Sequence, residues 1–151
     1  MWKVLENSMV YELRNVLDEI VSNSFPELKK QKINLKYEKL SEYLFNFGGT
    51  MNHYWISVES TLKKASKKLI QGGIAHELCH IVNDMNLSKY MKRNDLKLYK
   101  KNSRYRQMDE RHNDLQVILR GYGIHLIELI KKCSKENEGL TVEEVKTLLK
   151  R

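Results

Sequence analysis

His76, Glu77 and His80, in the stretch GGIAHELCHIVND (residues 72–84), have the types and spacing that metal-assisted hydrolysis uses. On a helix, side chains four apart differ by about 40° in direction, so His76 and His80 leave one edge a turn apart. Both can then reach one tetrahedral Zn²⁺. Glu77 is turned about 100° from His76, outside the ligand pair but within reach of a water at the metal. HExxH thus separates two ligands from one general base. The competing reading is an amphipathic helix that happens to carry two of the chain's five histidines. Cys79, inside the motif, lies well round the helix from the His76/His80 edge and is expected to pack rather than ligate.

A catalytic zinc site takes a third protein ligand and keeps a position open for water. Residues 81–86 read IVNDMN, so no HExxHxxGxxH continuation exists and the third ligand must come from farther along. The best source is MDERHND, residues 108–114. Glu110 and Asp114 are four apart and share a helix face. Glu110 is the expected ligand, with Asp114 accepting the free ring N–H of a ligand histidine and fixing its tautomer. Asp109 and His112 are rivals, although His112 points roughly opposite the Glu110/Asp114 edge. Alternatively this is a charged helix face, with Arg106 paired to Glu110 and Arg111 turned outward.

These residues need rigid elements to hold them. Trp2, Leu5, Met9, Leu13, Val16 and Ile20 recur at helical steps, and Ser22 to Pro26 ends that helix. INLKYEKL, EYLFNF and HYWISVES read as three short strands, with Gly48-Gly49 as the turn between the second and third. From about Ser60 the pattern turns helical, and Leu69 or Ile70, Ile74, Leu78, Ile81 or Val82, and Met85 mark the buried side of the motif helix. Gly72 and Gly73 weaken a helix interior, so they point to another backbone passing close by. A second helix covers about Gln107 to Arg120, with Leu115, Ile118 and Leu119 apolar, and is interrupted by Gly121 and Gly123. A third runs through IHLIELIKKC. A last, LTVEEVKTLLK, opens with Thr141 and Glu144 at capping-box spacing. The expected fold is α+β: an N-terminal helix, a small three-stranded sheet, the HExxH helix and C-terminal helices.

With 151 residues and one proline, the chain is read as a single domain, residues 1–151, with one core. No apolar run approaches the roughly 20 residues that span a bilayer, so no membrane partner is expected. Glu6 and Glu12 fall where a signal peptide needs an apolar core. Cys79 and Cys133 are the only cysteines and form no CxxC pair, which fits a reducing, cytoplasmic setting. The net charge is +8, yet Lys89 to Arg106 alone holds eight cations against Asp95, a net +7. This basic insert, about residues 88–107, suits either a solvated connection or attraction to nucleic acid. Tyr90, Tyr99 and Tyr105 interleave with its charges but make no stacking platform by themselves.

HELCH followed by ERHND resembles the gluzincin branch of HExxH zinc metallopeptidases, particularly the minimal gluzincins, over about residues 50–122. The resemblance implies a zincin-like domain binding one Zn²⁺ through His76, His80 and Glu110, with Glu77 as general base and Asp114 behind a histidine. It also implies that HYWISVES is the rim strand pairing with extended peptide substrates. The implied activity is peptide-bond hydrolysis by a zinc-activated water on a peptide or protein substrate. Tyr105, His112 and Tyr122 are the candidates to face the oxyanion. A C-terminal helical tail, about residues 139–151, is placed where some minimal gluzincins fill their own cleft, which implies latency. The alternative is a nucleic-acid-associated zinc protein, or a protease like the SprT-like zincins that acts on DNA-bound proteins through residues 89–106. Substrate preference and oligomeric state have no signature in the sequence.

Overall fold

A computed structural model describes residues 2–50, 53–133 and 137–150, with side chains from Glu12 onward except Thr50. The order is α1 (Trp2–Ser24), β1 (Lys32–Glu38), β2 (Phe45–Thr50), β3 (His53–Glu59), α2 (Lys67–Met85), α3 (Lys89–Lys101), α4 (Ser103–Leu119), α5 (Gly123–Lys132) and α6 (Val142–Leu149). Short 3-10 turns follow α1 and β3. The fold is α+β, as expected. No helix among the described residues is long and apolar enough to cross a membrane.

The apolar stripe of α1 is Leu13, Leu17 and Ile20, all buried, while Val16 is only partly covered. Trp2, Leu5 and Met9 lie outside the described side chains. In the sheet β3 is central, parallel to β1 and antiparallel to β2. Tyr54, Ile56 and Val58 of β3 are fully buried. Ile33 and Leu35 sit beside Tyr54 and Ile56 on one flank, and Phe47 and Phe45 beside Ile56 and Val58 on the other.

Two readings of the sheet change. Gly48 and Gly49 are not a turn but the end of β2, and the connection at residues 51–52 lies outside the described residues. Gly48 is required there because a Cβ would lie 2.5 Å from the Trp55 ring, and Gly49 because its φ is +144°. Secondly, HYWISVES is no rim strand, since both of its hydrogen-bonding edges are occupied. The edge strand on that side is β2. The ladder bond from Glu59 N–H to Leu44 O fixes the alternation. It leaves the N–H and C=O of Phe45 and Phe47 directed away from β3, towards the open edge.

Helix α2 is the hub, packed on α1, α4, α5 and the sheet. Ser66 caps it, accepting from Leu69 N–H at 3.2 Å, a bond worth about 1 kcal/mol. Ile74, Leu78 and Ile81 are fully buried and form its core face, each contributing roughly 1.5–3 kcal/mol. The paired glycines do admit close neighbours. A Cβ on Gly72 would lie 2.3 Å from the His125 carbonyl oxygen of α5, and one on Gly73 would strike the Phe45 ring at 2.2 Å. Cys79 packs at 2% exposure, and burial pushes its thiol up to about 12.

The basic segment is mostly helix α3, capped by Ser88, and it has no buried residue. Asn102 ends α3 and starts α4, its side chain accepting from Tyr105 N–H at 3.1 Å. That single non-helical residue (φ −120°, ψ 105°) lets α3 pack back on α4. The buried residues of α4 are Asn113, Asp114 and Val117, whereas Leu115 and Leu119 are exposed. Its inner face is therefore largely polar.

Candidate metal centre

The edge of α2 opposite Ile74 and Leu78 carries His76 and His80, one turn apart. Their Nε2 atoms are 3.2 Å apart. Helix α4 crosses this edge and delivers Glu110, with Oε2 at 3.1 Å from His76 Nε2 and Oε1 at 3.3 Å from His80 Nε2. One ligand atom from each of the three residues lies within 4.8 Å of the others, a group able to hold a metal ion. No other group of three or more His, Cys, Asp or Glu residues among the described ones does so. Phe47, at the sheet edge, stacks on His80 with ring centroids 5.5 Å apart.

One turn after Glu110, Asp114 is 2% exposed, with Oδ1 2.9 Å from His76 Nδ1 and Oδ2 accepting the Leu140 N–H at 2.9 Å. Beside it, Asn113 donates to the His76 carbonyl oxygen at 3.0 Å, tying α4 to the backbone of α2.

The proton inventory shows what the cluster lacks. An ionised carboxylate only accepts, so the nitrogen of His76 facing Asp114 carries the hydrogen. In a neutral ring, Nε2 is then a bare lone pair, and it faces another acceptor, Glu110 Oε2. Two acceptors meeting at 3.1 Å need a cation between them, either a proton or a metal ion. Burial opposes charge on His76, but Asp114 and Glu110 outweigh it and hold the ring's pKa well above its ordinary value. His80 is also raised: burial opposes it, and Glu110 overrides. Burial pushes Glu110 up, but both histidines override it and hold the carboxyl far below the carboxylate range. Two imidazoles and a carboxylate, with Asp114 behind one of the imidazoles to orient it, are a donor set that suits zinc.

Glu77 is 6% exposed and makes no hydrogen bond among the described residues. Burial pushes its carboxyl up while the two histidines pull it down. It is therefore a buried carboxylate beside the donor cluster with accepting capacity unspent.

Of the rival third ligands, His112 is exposed and Asp109 is half-buried outside the cluster. Arg106 does not pair with Glu110; it donates to Glu138 at 2.5 Å and to the Tyr99 carbonyl oxygen at 3.0 Å. Nor is Arg111 simply outward: it forms a bidentate pair with Glu144 of α6. Two of the oxyanion candidates have partners outside the donor set. Tyr105 donates to Asp95, and Tyr122 sits against His125.

Three groups at the site had escaped notice. Tyr99 of α3 donates to Glu110 Oε1 at 2.6 Å. Burial and the Glu110 charge push its phenol well above the ordinary range. Its place eleven residues before Glu110 is a signal only once α3 and α4 are known to fold back at Asn102. The other two are the Asn113 amide and the Leu140 N–H, the latter having no side-chain signature at all.

Leu140 meets the centre on the Nδ1 side of His76, through Asp114. Compared with known proteins, the chain matches no protein-family model, no curated protein and no solved structure. The site is defined by its own geometry: two histidines and one glutamate from crossing helices, with a buried free carboxylate next to them.

Proposed function

We propose that this chain is a zinc-dependent peptidase. The observation that carries the reading is the convergence of His76, His80 and Glu110 within 4.8 Å beside the unbonded carboxylate of Glu77. These three residues would hold one Zn²⁺, which when bound lowers the pKa of water toward about 7 and polarises a carbonyl. Glu77 accepts the proton of the attacking water and passes it to the departing amine nitrogen, and its burial makes the carboxylate more basic than an exposed one. Asp114 keeps His76 in the tautomer that presents Nε2 to the cluster. The open edge of β2 supports a peptide substrate in particular. An extended chain laid along it would bond to the Phe47 backbone, whose ring already lies on His80.

The test is metal content and hydrolysis of unstructured peptides by four proteins. Wild type is expected to hold one zinc per chain and to lose activity to a chelator. Glu110→Ala should lose metal, His112→Ala should keep it, and Glu77→Gln should keep zinc but not cleave. A Glu77→Gln protein that cleaves normally removes the proposed base.

A second reading, action on proteins bound to nucleic acid, has its own support. Lys89, Arg93, Lys97, Lys100 and Lys101 lie within an arc of about 120° on α3. All five are exposed, and none pairs with a carboxylate among the described residues. The opposite side faces the body through Lys92–Asp84, Asp95–Tyr105 and Tyr99–Glu110. DNA binding that weakens steeply with salt and disappears in Lys97→Gln/Lys100→Gln/Lys101→Gln supports this reading. Equal binding by wild type and the triple variant removes it.

A further inference from the structure

Residues 138–144 join the centre at several points on α4. Glu138 receives Arg106 Nε at 2.5 Å, and the same guanidinium donates through Nη1 to the carbonyl oxygen of Tyr99. Leu140 gives its N–H to Asp114 Oδ2. Glu144 takes both ends of Arg111, which also reaches the Gly139 carbonyl oxygen at 3.4 Å. Two of these lines end on a group behind a donor residue. Tyr99 holds Glu110, and Asp114 holds His76.

Gly139 is the point of closest approach. A Cβ there would lie 2.1 Å from Asp114 Oδ2, and its φ is not in the left-handed region, so the need for glycine is steric. Asp114 is short, buried and bonded at both oxygens, so it has little freedom to retreat. Leu140 and Val145 are buried in the main core, and the capping box at Thr141 and Glu144 fixes where α6 begins. The segment is thus anchored on both sides of its contact with Asp114.

We propose that residues Glu138–Glu144 are a positioning strap for the metal centre, setting Asp114 and Tyr99 from outside so that His76 and Glu110 converge. This rests on the metal reading above. It has a consequence opposite in sign to self-inhibition: loosening the segment weakens the site instead of opening it.

The experiment measures Zn²⁺ affinity of the metal-free full-length protein by competition with a chromophoric chelator, below its melting temperature. Gly139→Ala is expected to weaken zinc binding about 10- to 100-fold, as loss of partners behind metal ligands does. Glu138→Gln/Glu144→Gln, which removes the two ion pairs while glutamine can still close the Thr141 capping box, is expected to weaken it several-fold. Circular dichroism and the melting curve establish that each variant is folded. A folded Gly139→Ala with wild-type affinity overturns the strap, because a merely structural segment would lower Tm and leave zinc affinity alone. If Gly139→Ala fails to fold, the double variant decides: weakened binding supports the strap, and unchanged binding overturns it. Wild type without stoichiometric zinc overturns the metal reading itself, and the strap with it, a result distinguishable from variants failing beside a binding wild type.

Discussion

Asp114→Asn tests the centre without touching a proposed ligand. The aspartate presents two acceptors to two donors, His76 Nδ1–H and Leu140 N–H, each at 2.9 Å. Asparagine is nearly isosteric but has only one acceptor, so its NH₂ must oppose one of the two donors. If the oxygen stays on Leu140, the amide hydrogens face His76 and favour the tautomer with its hydrogen on Nε2, the atom aimed at the cluster. If it turns to His76, the Leu140 N–H is left buried against another donor. An unmet buried donor costs about 1–3 kcal/mol. For a chain of this size that corresponds to a fall in Tm of roughly 2–12 °C in the metal-free protein. Zinc affinity is expected to drop about 10- to 100-fold, the usual cost of losing the carboxylate behind a ligand histidine. Differential scanning calorimetry of the metal-free protein gives the first quantity and chelator competition the second. An Asp114→Asn protein that binds zinc as tightly as wild type and melts at the same temperature refutes the assignment of the His76 tautomer to Asp114.

Two further perturbations probe a partner of Glu110 and the turn that follows the sheet. Tyr99→Phe deletes the 2.6 Å bond to Glu110 Oε1, and zinc affinity should fall about tenfold; equal or tighter binding would show that the phenol does not orient Glu110. Glu59 accepts from Leu40 N–H, Thr61 N–H and the Thr61 hydroxyl, which hold its carboxyl down at about 2 against 4.5 for an unconstrained glutamate. Because the folded value is depressed, its stabilisation is complete above about pH 4.5 and is lost as pH falls from there through about 2. Glu59→Gln should flatten the dependence of Tm on pH within that window, and an unchanged slope sinks the assignment.

The chemistry was legible where it depended on one helix at a time. The relation of His76 to His80, and of Glu110 to Asp114, follows from 3.6 residues per turn, and folding preserved both. Their meeting across the α2–α4 contact was an expectation from residue type alone, and the fold brings them together. What failed to show required contacts between distant parts of the chain. Tyr99 looked like one aromatic among many cations because the reversal at Asn102 is a single residue. The Leu140 donor belongs to the backbone. Gly48-Gly49 imitated a turn because glycines serve both tight turns and close packing, and here it is the Trp55 ring that excludes a side chain at Gly48. The leucines of α4 do not mark its buried face. Its polar side had to be buried, because Asn113 and Asp114 serve the histidine behind it.

The burial of that polar side bears on what the centre is for. A helix that leaves Leu119 77% exposed while Asn113 and Asp114 are almost wholly covered forgoes apolar burial that the same chain had available. Asp114 is bonded at both oxygens, to His76 and to the segment that follows α5, and the Asn113 amide donates to the His76 backbone while its Oδ1 has no partner among the described residues. Yet the bonding stops one layer short. At the centre of the arrangement His76 Nε2, His80 Nε2 and both oxygens of Glu110 face one another, with Tyr99 as the one added donor. Stabilising the fold alone would be served as well by apolar side chains at these positions. The innermost acceptors converge with too few donors of their own, the arrangement that a cation, proton or metal ion, would complete. Glu77, buried beside them and bonded to none, is the residue through which such a cation would be put to use.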